Sequence, residues 1–392
     1  GLFYSAITDF LGFAVNEGEY KMMGLAAFGM PTFYESLKKT IKFDNNQLIV
    51  DTNYYDYVRR IDRSYSDLLV DLLKINPRQP NIPLEIGREN FQHYADIASS
   101  AQKVLEDILF DIFSYANKIT GENKFLFSGG VAMNSAAVRK SAKLKFIHEL
   151  NIPPSPGDSG AAIGAAYYGF IKIKNKSEIF IKKENKVDEN LFPGKENSDE
   201  DFFDLVLEKI ADDNNSIEKT SELISKNEII ATCFGNIETG PRALGHRSLI
   251  CNAHNSDLIK KLSTEIKKRN LFRPTAPVAL MESAEKYFYL EKSLMNCYYH
   301  MGTTALTKPE FINEISGVVH ADNSSRIQII KENNLLGKIL MCLKKNNIFL
   351  IANTSFNISS DPMVYDKVDA YLALERMGIK YLLTNTGLYK KK

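Results

Sequence analysis

Between Lys124 and Phe170 the chain twice runs from a short apolar stretch through a turn of small residues into a helical segment. "KFLF" gives way to "SGG" and a helix beginning near Val131. A further strand around Phe146 leads through "NIPPSPGDSG" into the Ala/Gly-rich helix "AAIGAAYYGF". Strand, glycine turn, helix, strand, turn, helix restricts the chain to α/β layers. Ahead of this unit, apolar residues recur at three- and four-residue steps from Ala95 to Ile119, which predicts a long helix with a core-facing Phe/Leu stripe. "GLFYSAITDFLGFAV" has the same spacing up to about Gly18, and Tyr-rich strand-like pieces lie between Ile41 and Ile61.

With 392 residues, 44% of them hydrophobic, there is material for two domains, each with its own core. Periodicity fails between about Lys172 and Glu200, and "KENKVDENLFPGKENSDED" reads as a linker. The expected division is 1–190 and 191–392. Beyond the linker the pattern predicts helices at "FFDLVLEKIADD" and around "TSELISKN", then strands at "EIIATCF", "TAPVALM", "GVVHAD", "NIFLIAN" and "YLLTN". The second half is therefore mixed α/β with more sheet than the first. A net charge of +1, with Lys interleaved among Asp and Glu, argues against a nucleic-acid partner. No apolar run approaches membrane-spanning length, so a soluble protein without a membrane partner is expected. The four cysteines are widely spaced without any CxxC and read as free thiols of a cytoplasmic protein. The opening "GLFYSAITDFLGF" starts without Met inside apolar sequence, and further residues upstream are expected.

Candidate chemistry concentrates in a few turns. "GNIETGPRALGHRSLICNAH" holds Arg242 and Arg247 between Pro241, Gly240, Gly245 and His246, a framing that suits a fixed guanidinium fork for phosphate or carboxylate. A structural turn with surface arginines is the plainer alternative. In "FSGGVAMNSAAVRK", Gly129 and Gly130 sit between strand and helix, where bare backbone lets a ligand approach and the helix offers free N–H groups. Tight packing explains such a pair equally well. Asn134 follows on the first turn, within reach of a ribose or base. Asp158 in "PPSPGDSGAAIGAA" is an N-cap or one carboxylate ligand of a metal. "KKRNLFRPTAP" supplies Lys267, Arg269 and Arg273, "HADNSSRIQ" supplies Arg326, and "NTSFNISSDPMV" supplies Asn353 and Ser355. Taken together, these cations and small donors beside apolar strands suit a polyphosphate and an acyl phosphate.

The segments "EYKMMGLAAFG", "SGGVAMN", "PSPGDSGAAIGAA", "GPRALGHRS", "FRPTAP" and "NTSFN", in this order, resemble the O-carbamoyltransferase family of antibiotic and nodulation-factor biosynthesis. The resemblance spans nearly the whole chain. It implies the C-terminal part of an actin-like (RNase H-like) domain followed by a YrdC-like α/β domain. It further implies that carbamoyl phosphate and ATP, the latter with Mg2+, become carbamoyl-adenylate in the second half, and that the first half passes the carbamoyl group to a hydroxyl of a small molecule or glycan. On that pattern Arg242, Arg247 and Arg273 are catalytic. Lys267, Arg269, Arg326, Asn353 and Ser355 bind the phosphates, Gly129, Gly130 and Asn134 cradle the adenylate, and Asp158 binds a divalent metal, iron.

The sequence departs from that pattern at several points. The family's other metal ligands, two histidines one helical turn apart, have no counterpart, since His93 and His148 stand alone; an N-terminal segment or a partner subunit is expected to supply them. His246 stands where the family usually has Asn, Asn252, Ala253 and His254 where it favours Asp-Pro-Arg, and Ser360 and Asp361 where it prefers Gly-Glu. Two further functions fit the same motifs: a threonylcarbamoyl-type factor for transfer RNA, and a non-catalytic nucleotide-binding subunit that needs a partner.

Overall fold

A computed structural model describes residues 1–88, 90–174, 191–192, 201–358 and 361–392. Most of the stretch read as a linker, and Ser360, therefore lie outside the described residues.

The first half is built around one long helix. Helix α1 (Leu2–Phe10), α2 (Glu19–Ala26) and α4 (Ser135–Ser141) pack against α3 (Phe91–Thr120), whose buried Ala95, Ala98, Ala101, Leu105, Ile108 and Leu109 continue the predicted stripe. Gly121 ends α3 in the left-handed conformation that a C-terminal glycine adopts without strain. Strands β1 (Lys124–Leu126) and β2 (Glu149–Asn151) pair in parallel and deliver the chain to α4 and to α5 (Asp158–Lys174). The expected helix near Val131 begins as a short 3-10 turn over Gly130–Met133 before α4.

The second half is an eight-stranded mixed sheet. Its strands are β3 (Glu208–Asp212), β4 (Ile230–Cys233), β5 (Arg247–Asn252), β6 (Ala276–Leu280), β7 (Gln328–Ile330), β8 (Ile351–Ser355), β9 (Tyr381–Thr384) and β10 (Gly387–Lys390), in the order β7-β6-β8-β5-β4-β9-β10-β3. The inner strands β4, β5 and β6, and the edge strand β7 beside β6, are buried along their whole length, as sheets covered on both faces require. Helices α6 (Asp213–Ser225) and α7 (Leu335–Leu343) pack together on one face, with Leu223, Ile224, Leu336 and Leu340 in a core shared with Ile230, Ile250 and Ile351.

The α/β class holds, with two local corrections. "FFDLVLEKIADD" divides into a short helix, Asp201–Val206, and strand β3, because β3 ends the sheet and supplies backbone partners to the open side of β10. "GVVHAD" forms no strand: Ser316–Val318 is a 3-10 turn, held where the Ser325 hydroxyl donates to the Val318 carbonyl. Gly317 lies so close under Ser256 and Ile259 that no neighbouring strand fits there.

The halves meet along a packed seam. Phe13 faces Phe272 at 6.3 Å between ring centroids, and Phe28 meets His320 edge-on at 5.5 Å. Arg139, 4% exposed, donates from Nε to Thr304 Oγ1 at 3.0 Å and pairs with Asp322 at 3.5 Å. Burying such aromatic groups contributes about 1.5–3 kcal/mol apiece.

Candidate functional site

The turn between β4 and β5 is held by two residues with opposite charge. Glu238 Oε1 accepts hydrogen bonds from the backbone N–H groups of Leu244, His246 and Arg247 at 2.8–2.9 Å. Arg247, fully buried, donates from Nη1 to the carbonyls of Phe234 (2.8 Å) and His246 (3.2 Å). Its Nη2 donates to the Gly235 carbonyl and its Nε to that of Tyr365. The guanidinium expected to grip phosphate is therefore engaged by four backbone carbonyls. Glu238, which sequence reasoning passed over, is the carboxylate that folds the turn; an acid with three buried N–H partners carries no motif of its own. His246 closes the turn, stacked on Phe192 at 3.7 Å and hydrogen-bonded through Nδ1 to the Asn236 carbonyl at 2.7 Å. Leu191 and Phe192, inside the stretch read as linker, thus belong to this turn, and Thr239 N–H donates to the Leu191 carbonyl.

The turn presses on the first half. Gly240 has φ +87°, and a Cβ there would lie 2.2 Å from the Pro154 carbonyl oxygen, so this approach requires glycine. Half-buried Arg242 reaches across the seam, its Nη2 donating to the Met133 carbonyl at 3.4 Å. Turn 240–245, the "SGG" turn and the "PPSPGD" loop, far apart in sequence, are brought together. Gly129 N–H donates to the Pro156 carbonyl at 2.7 Å, and open space surrounds the Cβ positions of both Gly129 (φ +97°) and Gly130.

Beside Arg242 the structure gathers Arg269, Arg273 and Arg326. Burial depresses each: Arg242 to about 10, Arg269 to about 9 with help from Arg273, and Arg273 in the same direction. Arg326 is lowered well below its usual range, through burial and then the like charges of Arg242, Arg269 and Arg273. Its buried Nε has no partner among the described residues. Among the described residues, no Asp or Glu is among the charges acting on Arg242, Arg269 and Arg326. Guanidinium remains protonated at neutral pH, so the depression is free energy that a bound anion would relieve.

The surrounding donors orient this group. Arg269 is held by Thr275 Oγ1 at 2.7 Å, Thr354 Oγ1 at 3.1 Å and Ser263 Oγ at 3.3 Å, each hydroxyl accepting from the guanidinium. Lys267, 2% exposed, donates from Nζ to the carbonyls of Ser355 and Asn357, to Asn357 Oδ1 and to Ser355 Oγ. Burial and the charges of Arg269 and Arg273 pull its ammonium down to about 6, while those four oxygens favour the charged form. It pins the 355–357 turn. Asn353 donates from Nδ2 to the Ala243 carbonyl at 2.9 Å and to Gln328 Oε1 at 3.1 Å, leaving its buried Oδ1 without a partner among the described residues. Ser355 Oγ donates to Asn357 Oδ1 at 2.6 Å.

Asn134 is not turned toward open space. It caps α4, accepting from Ala137 N–H at 3.0 Å, and exchanges two hydrogen bonds with Gln102 in the core. Asp158 is exposed at the start of α5. Among the described residues no three His, Cys, Asp or Glu side chains come together as a metal site requires, so the donor set present does not fit a transition metal.

Comparison with known proteins gives this geometry its context. The carbamoyltransferase N-terminus model matches residues 1–167 and the carbamoyltransferase C-terminus model residues 221–391. The chain is 27% identical to an uncharacterised Synechocystis protein, sll1178, and 26% identical to the nodulation proteins NolNO of Sinorhizobium fredii and NolO of Bradyrhizobium diazoefficiens. The whole chain is matched in each case, against 67%, 55% and 69% of those relatives. It thus spans between about half and just over two thirds of their length. Among solved structures, HypF of T. kodakarensis is 19% identical over 43% of this chain and 22% of that one, with a TM-score of 0.31. A variant of P. abyssi Sua5 is 17% identical over 44% and 49%, with a TM-score of 0.32. The chain belongs to the carbamoyltransferase family. Among the described residues no helix is long and apolar enough to cross a membrane.

Proposed function

We propose that this member of the carbamoyltransferase family is an ATP-dependent O-carbamoyltransferase, forming carbamoyl-adenylate from carbamoyl phosphate and ATP and passing the carbamoyl group to a hydroxyl. The observation that carries this reading is the gathering of Arg242, Arg269, Arg273 and Arg326, with the like charges of the other three acting on buried Arg326 and, among the described residues, no carboxylate acting on Arg242, Arg269 or Arg326. Both substrates arrive as phosphate anions, ATP together with Mg2+. Fixed guanidiniums in a partly desolvated seam stabilise the charge that builds on phosphoryl oxygens as pyrophosphate leaves. In sum, carbamoyl phosphate, ATP and one water give carbamoyl-adenylate, pyrophosphate and phosphate.

The other residues act through this group. Thr275, Thr354 and Ser263 fix the plane of Arg269, Lys267 fixes the 355–357 turn, and Glu238 with Arg247 fixes the turn that carries Arg242. Open backbone at Gly129 and Gly130, beside Met133, leaves room for the adenylate on the first-half side. The acceptor is proposed to be a small-molecule or glycan hydroxyl, in keeping with relatives named as nodulation proteins. Asp158 is exposed and belongs to no cluster of three metal-ligating side chains among the described residues. Pyrophosphate release by the 392-residue chain, with ATP and with or without carbamoyl phosphate, tests the reading. Release that requires carbamoyl phosphate supports it; no release by a folded chain that does bind ATP refutes it.

A further inference from the structure

The segment "EYKMMGLAAFG" opens helix α2, and its first residues lie against the arginines. Helix α2 lies with Gly24 beneath the entrance to β6: a Cβ at Gly24 would sit 3.1 Å from the Phe272 carbonyl oxygen and 3.9 Å from Pro274 Cδ. Tyr20, one turn earlier on the same face, is thereby carried to Arg273, whose guanidinium carbon lies 4.8 Å from the centre of the Tyr20 ring. Tyr20 also lies within electrostatic range of Arg242 and Arg269, so one phenol from the first half is close to three guanidiniums of the second. Its side chain stays 39% exposed, and no described residue hydrogen-bonds its hydroxyl. Lys21, with Nζ 5.9 Å from the same ring, adds a further cation that feels the charge of Arg273.

We infer that Tyr20 is a ligand-contacting residue of the phosphate site, its hydroxyl donating to a phosphate oxygen held by the arginines while its ring fixes the Arg273 guanidinium. The site is then composite. Cations of the second half bind the polyphosphate, and the first half contributes a neutral donor and Lys21 from α2. A neutral donor suits this position, because a carboxylate there would compete for the guanidiniums and one more cation would add to their repulsion. This inference rests on the arginine group being the phosphate site.

The test uses inorganic pyrophosphate as probe, titrated calorimetrically into the full chain and into its Tyr20→Phe, Tyr20→Leu and Arg326→Met variants. Loss of one hydrogen bond to a charged oxygen predicts pyrophosphate affinity lower by about 10-fold or more for Tyr20→Phe, with its melting temperature in the absence of pyrophosphate unchanged. Tyr20→Leu, which loses the ring as well, is expected to weaken binding further, and KM for ATP should rise in step with both. Wild-type affinity in Tyr20→Phe overturns the hydroxyl contact, and if Arg326→Met loses binding in the same series the arginine site itself survives. Absence of pyrophosphate binding by the wild-type chain at millimolar concentration overturns both.

Discussion

Replacing Arg326 with Met should make the protein more stable and less able to bind its substrates. The exchange removes a buried Nε that has no partner among the described residues, together with a charge repelled by Arg242, Arg269 and Arg273. No hydrogen bond from this side chain is present among the described residues, so none is lost. An unpartnered buried donor costs about 1–3 kcal/mol, and an unbranched Met fills much of the same volume. A gain of about 1–2 kcal/mol follows, raising Tm by roughly 2–8 °C if the second half unfolds as a unit of about 200 residues. Pyrophosphate loses at least one charge-assisted bond, worth about 1.5–3 kcal/mol, so its Kd should rise roughly 10- to 150-fold. Thermal melts with urea unfolding give the first quantity and calorimetric titration the second. A variant that is destabilised by more than about 1 kcal/mol and binds pyrophosphate as before would show that Arg326 is a structural cation, and the charge argument would be wrong.

Arg247→Met should do the reverse, costing about 3–5 kcal/mol in urea unfolding because a fully buried cation is removed and four partly buried carbonyls lose their donor. Gly240→Ala combines a left-handed φ with a collision at Pro154, so faster hydrogen exchange is expected in residues 154–157 and 240–245 on both sides of the seam. His300, 6% exposed, is held down to about 4 by burial and, less strongly, by Arg242, against two backbone hydrogen bonds that raise it. A histidine with its folded value below 6.5 contributes stability that is complete above 6.5 and is lost as pH falls toward 4. The stability difference between wild type and His300→Gln should therefore shrink by up to about 3 kcal/mol across that window, as measured by urea unfolding at several pH values. Ferrous iron should bind the 392-residue chain no more tightly than its Asp158→Asn variant, read by metal content after gel filtration; stoichiometric iron lost on that substitution would contradict the donor count.

The sequence was most legible where a pattern is repeated along many residues. The α3 stripe and the apolar runs of β4, β6 and β8 stood out because burial on one face, or on both, leaves a periodic or continuous signature. The arginines were identifiable as a set, but their division of labour was not. Arg242 and Arg247 look equivalent in "GPRALGHRS", yet one faces the seam and the other turns inward onto carbonyls, a difference decided by where β5 begins. Asn134 reads as a ligand donor until Gln102, 32 residues earlier on α3, is found beside it. Glu238 was missed because its partners are backbone N–H groups, which leave no residue signature, and Tyr20 because its arginine neighbours lie on the other half. "GVVHAD" has the composition of a strand but lacks a neighbour to pair with, and only the packing under Ile259 reveals that.

Isotope exchange between labelled pyrophosphate and ATP tests the central claim most directly, since it reports reversible formation of an adenylate independently of the acceptor hydroxyl. With carbamoyl phosphate present, the 392-residue chain should move label into ATP, exchange should vanish when carbamoyl phosphate is omitted, and Arg326→Met should lose it while remaining folded. Release of ADP and phosphate without exchange, or exchange retained in full by Arg326→Met, would contradict it.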